Sequence, residues 1–146
     1  MKYPAPLRFK MPSTLAAVDE SCLGVKTWLQ DNGLENDWFA VLLLLRESLN
    51  NAVIHGNRND PVLDVDCELR RGRRWLSISV ADSGAGFSWA RAKKHRACCR
   101  DTCGRGLEIY QLYADEVVFN RRGNRVLLRR QLRKGGECAL NSNRAK

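Results

Sequence analysis

No stretch of about 18 apolar residues occurs in this chain of 146 residues, which excludes a helical membrane span. Proline is scarce, and three of the four prolines, Pro4, Pro6 and Pro12, interrupt the N-terminal segment before a signal-peptide core could form. A soluble, cytoplasmic protein with no membrane partner is therefore expected. Internal repeats are missing too, and the length allows one domain over residues 1–146 but not a catalytic domain plus a sizeable regulatory one. One site must carry the function. Negative charge is also in short supply: 16 Asp and Glu face 25 Lys and Arg, for a net charge of +9. The imbalance is uneven, with 9 basic against 10 acidic side chains in residues 1–73 and 16 against 6 in residues 74–146. The second half calls for an acidic partner, and on charge alone nucleotide phosphate, an acidic protein surface and nucleic acid all qualify.

Cysteine, by contrast, is plentiful. Cys22, Cys67, Cys98, Cys99, Cys103 and Cys138 are irregularly spaced, and without an export signal they read as reduced thiols rather than a disulfide framework.

Hydrophobic periodicity outlines the elements. Ser13 can cap a helix from Thr14 to Asn32, with Leu15, Val18, Cys22, Val25 and Leu29 on one face and Gly33 as its stop. A second helix is expected from about Asp37 to His55, capped by Asn36 or Asp37 and ended by Gly56-Asn57. Its continuously apolar middle, Val41 to Leu45, implies burial on more than one side. From Val62 the period becomes two: Leu63, Val65, Cys67 and Leu69 oppose Asp64, Asp66 and Glu68. In the next strand Leu76, Ile78 and Val80 share a face, and Asp82 falls in line with them, so a carboxylate points toward the core. Residues 88–103 read as a basic loop closed by Gly104, before a short helix from Arg105 to Tyr113 or Ala114. Two more strands, about Glu116 to Asn120 and Arg125 to Leu132, flank a turn over Arg121-Arg122-Gly123-Asn124. With a short strand around Leu7 to Phe9, the pattern predicts an α+β, two-layer sandwich: helices on one face of a mixed, mostly antiparallel sheet, core about 7–132, tail 133–146 frayed.

Three polar segments interrupt this pattern. Glu47, Asn51 and His55 recur every four residues and form one stripe on the second helix. Asp82-Ser-Gly84-Ala-Gly86-Phe87 ends a strand with an inward carboxylate and two glycines that permit a sharp turn and close approach to a ligand. Gly104-Arg105-Gly106-Leu107 opens a helix, where free N–H groups and the helix dipole favour phosphate. Each has a plain alternative taken singly: a solvated face, a hairpin turn, an ordinary helix start.

In this order the three segments resemble the N box and the two glycine boxes of the GHKL (HATPase_c) ATPase superfamily, over roughly Leu7 to Leu132. The Glu-x-x-x-Asn-Ala-x-x-His-Gly helix and the Gly-Arg-Gly-Leu box look most like the anti-sigma-factor serine kinases of the RsbW and SpoIIAB type. The resemblance implies the Bergerat ATP-binding fold with ATP and Mg²⁺ as cofactors. It implies that Asn51 coordinates Mg²⁺ and that Asp82 accepts a hydrogen bond from the adenine amino group. Gly84, Gly86 and Phe87 would border the base and lid, and Gly104, Arg105, Gly106 and Leu107 the phosphates. Glu47 would be the general base. The implied substrate is a serine of a STAS-domain anti-anti-sigma protein, the implied second partner a sigma factor, and the implied assembly a homodimer. Only two histidines, His55 and His95, are present, and there is no separate dimerisation helix pair, so autophosphorylation on histidine is not expected.

Two departures stand out. Where the family often has Gly-Thr entering the last strand, Gly123 is followed by Asn124 and Arg125. The loop before Gly104 carries His95, Cys98, Cys99 and Cys103, potential zinc ligands at a spacing that is not that of a standard finger. The cysteines read as incidental reduced thiols, beside basic residues (Arg91, Lys93, Lys94, Arg96, Arg100) suited to phosphate or an acidic partner. A nucleic-acid-binding protein would explain the basic second half, Arg129 and Arg130 included, but not the three segments, so nucleic acid is not an expected partner.

Overall fold

The computed structural model describes residues 2–85 and 102–133, and for residues 102–105 the backbone alone. Met1, residues 86–101 and residues 134–146 lie outside it. The expectations for Gly86, Phe87, the loop with His95, Cys98 and Cys99, and the tail fall on those residues.

Among the described residues five strands form one sheet in the order β1-β2-β3-β5-β4: β1 Leu7–Pro12, β2 Asp64–Arg71, β3 Trp75–Ala81, β4 Glu116–Phe119 and β5 Arg125–Gln131. Every described pairing is antiparallel, so the expected parallel component is missing among them. The alternation read from the sequence holds, with Val65, Cys67, Leu69, Leu76, Ile78 and Val80 buried on the face that meets the helices. Cys22 and Cys67 are buried free thiols. The opposite face is a ladder of exposed ion pairs: Lys10 with Asp66 (3.7 Å), Arg70 with Glu68 (3.1 Å), Arg129 with Glu116 (2.9 Å), and Arg8 with Glu68. Such pairs contribute at most about 1 kcal/mol each. Of these, only the Arg129–Glu116 pair involves the basic second half.

Helix α1 (Leu15–Asp31) starts one residue later than expected. Thr14, not Ser13, is its cap, accepting the Ala17 N–H at 3.2 Å. Ser13 is buried and donates instead to the Leu63 carbonyl at 2.6 Å. Leu15 is accordingly exposed, and Ala17 takes its place on the buried stripe. Gly33 stops the helix in the left-handed region, φ +66°.

Helix α2 (Trp38–Asn51) lies between α1 and α3 (Thr102–Tyr113), which is why Val41, Leu44, Leu45 and Leu49 are all buried. Full burial of each such side chain stabilises by about 1.5–3 kcal/mol. The helix is preceded by a 3₁₀ turn, Glu35–Asp37, and ends not at His55 but at Asn51, where a π turn over Ala52–Gly56 takes over. Asp37 makes no side-chain cap. Its carboxylate accepts instead from Arg130 Nε (3.1 Å) and the Arg133 N–H (3.1 Å), and Arg130 also donates to the Tyr113 carbonyl (2.8 Å). Arg130, placed by charge alone on a basic surface, is 7% exposed and joins β5 to the start of α2 and the end of α3. Helix α3 begins at Thr102, so Gly104 lies inside its first turn rather than closing a loop. No helix among the described residues is long and apolar enough to cross a membrane.

Candidate functional site

The site is built where α2 ends. A π turn carries an extra residue within one helical turn, and such turns recur at functional sites. Here the Asn57 N–H reaches the Ala52 carbonyl at 2.8 Å, and the widened turn brings Gly56 against the end of β3. A Cβ at Gly56 would overlap the Asp82 carboxylate, and a Cβ at Gly84 would overlap the Gly56 carbonyl. Only glycine fits either position. Asp82 Oδ1 accepts the Gly84 N–H at 2.8 Å, which fixes the carboxylate in a tight turn. Burial pushes this carboxyl up from its ordinary value, opposed by the Gly84 N–H and the Arg122 guanidinium.

Between these elements opens a cleft. Ala52, Val80, Tyr110, Phe119 and Val126 give it an apolar lining, while Asn51, His55, Asp82, Asn124 and Arg125 supply the polar groups. Such a cavity suits a flat, partly apolar ring held by a few polar contacts. Asn124, the departure from the family pattern, is bound to the site's backbone: its carbonyl accepts the Asp82 N–H (2.9 Å) and its Nδ2 donates to the Asp82 carbonyl (3.2 Å).

At the other end of the stripe α3 crosses close to α2. A Cβ on Gly106 would stand 3.2 Å from Asn51 Nδ2 and 3.4 Å from Glu47 Oε2, so the second glycine box packs directly against the N box. Glu47 is half-buried and lies outside the cleft lining, toward the first turns of α3. Burial raises its carboxyl from the ordinary value, with Arg46 opposing. A helix start leaves its first backbone N–H groups without partners inside the helix, so the opening turn of α3 at Thr102 is its anion-attracting end. Leu107 lies beyond those donors, and its side chain is a core residue at 5% exposure.

Two residues of the site escaped the sequence reading. Tyr110 lines the cleft and accepts a hydrogen bond from Asn51 Nδ2 at 3.2 Å; its place three residues after Leu107 on one helix face was the available signal. Asn57 was read as part of a turn, yet it is 2% exposed and holds three segments together. It donates to Ser13 Oγ (2.8 Å) and the Asp64 carbonyl (3.1 Å), and its Oδ1 accepts the Ser83 N–H (2.9 Å). Asn57→Ala should lower the unfolding free energy by about 1–3 kcal/mol in urea titration, because buried partners lose their hydrogen bonds.

An apolar cleft with a fixed carboxylate and an amide in its wall suits a nucleotide base. The chain belongs to the family of histidine kinase-like ATPase domains, whose model matches residues 11–130. Its five-stranded antiparallel sheet with three helices on one face is the GHKL ATPase fold, and ATP is the ligand of that family. Among curated proteins none matches. Among solved structures the chain is similar to the histidine kinase domain of a blue-light activated histidine kinase from Erythrobacter litoralis. Identity is 17% and TM-score 0.43, over 83% of this chain and 60% of that one.

Proposed function

We propose that this chain is a cytoplasmic, ATP-dependent serine kinase and anti-sigma factor that phosphorylates a STAS-type anti-anti-sigma protein and otherwise holds a sigma factor, working as a homodimer. The observation that carries the reading is the meeting of Glu47 and Asn51 with Gly106 in the first turns of α3. On this reading a base, an amide oxygen and phosphate donors meet beside the nucleotide cleft.

The residues fit Mg²⁺. Asn51 supplies one amide oxygen, Glu47 stands nearby, and the room between them and α3 is space that a Cβ at residue 106 would narrow. A hard cation that keeps several waters and binds phosphate oxygens suits so small a donor set. When bound, the ion would neutralise charge across the phosphates. The remaining tasks fall to the chain itself. Asp82 would accept from the adenine amino group, and the α3 N-terminus would hold phosphate oxygens. Glu47 would take the proton of the substrate serine as its oxygen attacks the γ-phosphorus and the bond to ADP breaks.

The test is incubation with γ-labelled ATP, Mg²⁺ and the STAS-domain proteins of the source organism. Label on a partner serine, lost in Glu47→Ala and Asn51→Ala, is the expected result. ATP binding without transfer to any such protein would leave a nucleotide-gated binding module and refute the kinase.

A further inference from the structure

Tyr110 is a polar side chain that the function above does not use. It is 1% exposed, projects from α3 into the cleft wall, and its hydroxyl receives Asn51 Nδ2 at 3.2 Å. An apolar side chain of similar volume would fill the same space, so the hydroxyl has to be explained by what it touches. It touches the one side chain proposed to carry the metal.

A primary amide has two different ends: nitrogen donates, oxygen accepts. At a metal site only the oxygen end is useful, and a half-turn of the amide would present N–H groups to a cation. On this helix the choice is set by the partner. The Tyr110 oxygen accepts from Nδ2, which commits that end of the amide to Tyr110, while Oδ1, the other end, lies 3.9 Å from where a Cβ on Gly106 would stand, beside the first turns of α3. We infer that Tyr110 is a positioning residue that holds the Asn51 amide with its oxygen toward the metal and phosphates. The inference rests on the reading of Asn51 as the Mg²⁺ ligand, and it predicts a separable defect: the metal-dependent part of nucleotide binding weakens while the metal-free part does not.

The experiment is calorimetric titration of a non-hydrolysable ATP analogue into the wild type, Tyr110→Phe, Asn51→Ala and the double variant, each in Mg²⁺ and in EDTA. Thermal melts accompany each protein to establish folding. For Tyr110→Phe the affinity in EDTA should equal that of the wild type, while the gain from Mg²⁺ should shrink about five- to tenfold, the size of one lost hydrogen bond. In the Asn51→Ala background the same change should have no further effect on that gain, since the two residues act as one unit. An undiminished Mg²⁺ gain in Tyr110→Phe, with the gain lost in Asn51→Ala, would overturn the role of Tyr110 alone. Equal weakening with and without Mg²⁺ would reduce Tyr110 to a packing residue. A gain that survives in Asn51→Ala would overturn the metal reading of Asn51, and this inference with it.

Discussion

Asp37→Ala should lower the unfolding free energy by about 3–5 kcal/mol, because it leaves the Arg130 guanidinium buried without its counter-ion. The pair is 3.1 Å apart with side chains 9% and 2% exposed, and the same carboxylate also accepts the Arg133 N–H. For a domain whose whole stability is about 5–15 kcal/mol, that loss brings the chain near its unfolding threshold. The urea midpoint is the measurement. Replacing both partners at once, Asp37→Leu with Arg130→Met, should recover much of the loss, since two apolar groups leave no unpaired charge. A fall below about 1 kcal/mol for Asp37→Ala would mean that the pair behaves like an exposed one.

Glu47→Gln should reduce phosphoryl transfer by about 10²–10⁴-fold while leaving ATP binding in place, the range that a positioned general base contributes. The side chain lies outside the cleft lining, so amide for carboxylate removes the base without disturbing the Asp82 end of the site. The raised carboxyl fixes two signs. Only the ionised form accepts a proton, so the acid limb of the rate profile should lie above the ordinary carboxylate value and the rate should climb with pH through it. Stability runs the other way. A carboxyl raised by burial binds its proton more tightly folded than unfolded, so its contribution is present at low pH and lost as pH rises through the folded value. Near neutral pH and above, Glu47→Gln should therefore melt higher than the wild type, and the difference should vanish on acidification. Asp82, raised by the same cause, carries the same sign.

Much of the fold was legible because it depends on local alternation. The parity that put Asp82 in line with Leu76, Ile78 and Val80 needs no knowledge of any other strand, and the Gly33 stop and the Arg121–Asn124 turn are equally local. What was not legible depends on distant partners. Asp37 looks like a helix cap until Arg130 is brought to it across 93 residues of chain. Ser13 looks like one until Asn57, 44 residues on, claims its hydroxyl and shifts the cap to Thr14. The π turn at Ala52–Gly56 has no composition signal, yet it sets Gly56 against Asp82 and so joins two segments that the sequence could only place side by side. Tyr110 read as one more helical residue because its significance lies in the amide it meets.

The most direct measurement is calorimetric titration of ATP into the wild type and Asp82→Asn. The asparagine oxygen can still accept the Gly84 N–H, so the turn is kept while the charge presented to the base is removed. Saturable binding to the wild type, weakened at least about tenfold in the variant, is the expected result. No binding to the wild type, or equal binding by both, would contradict ATP held in this cleft by Asp82.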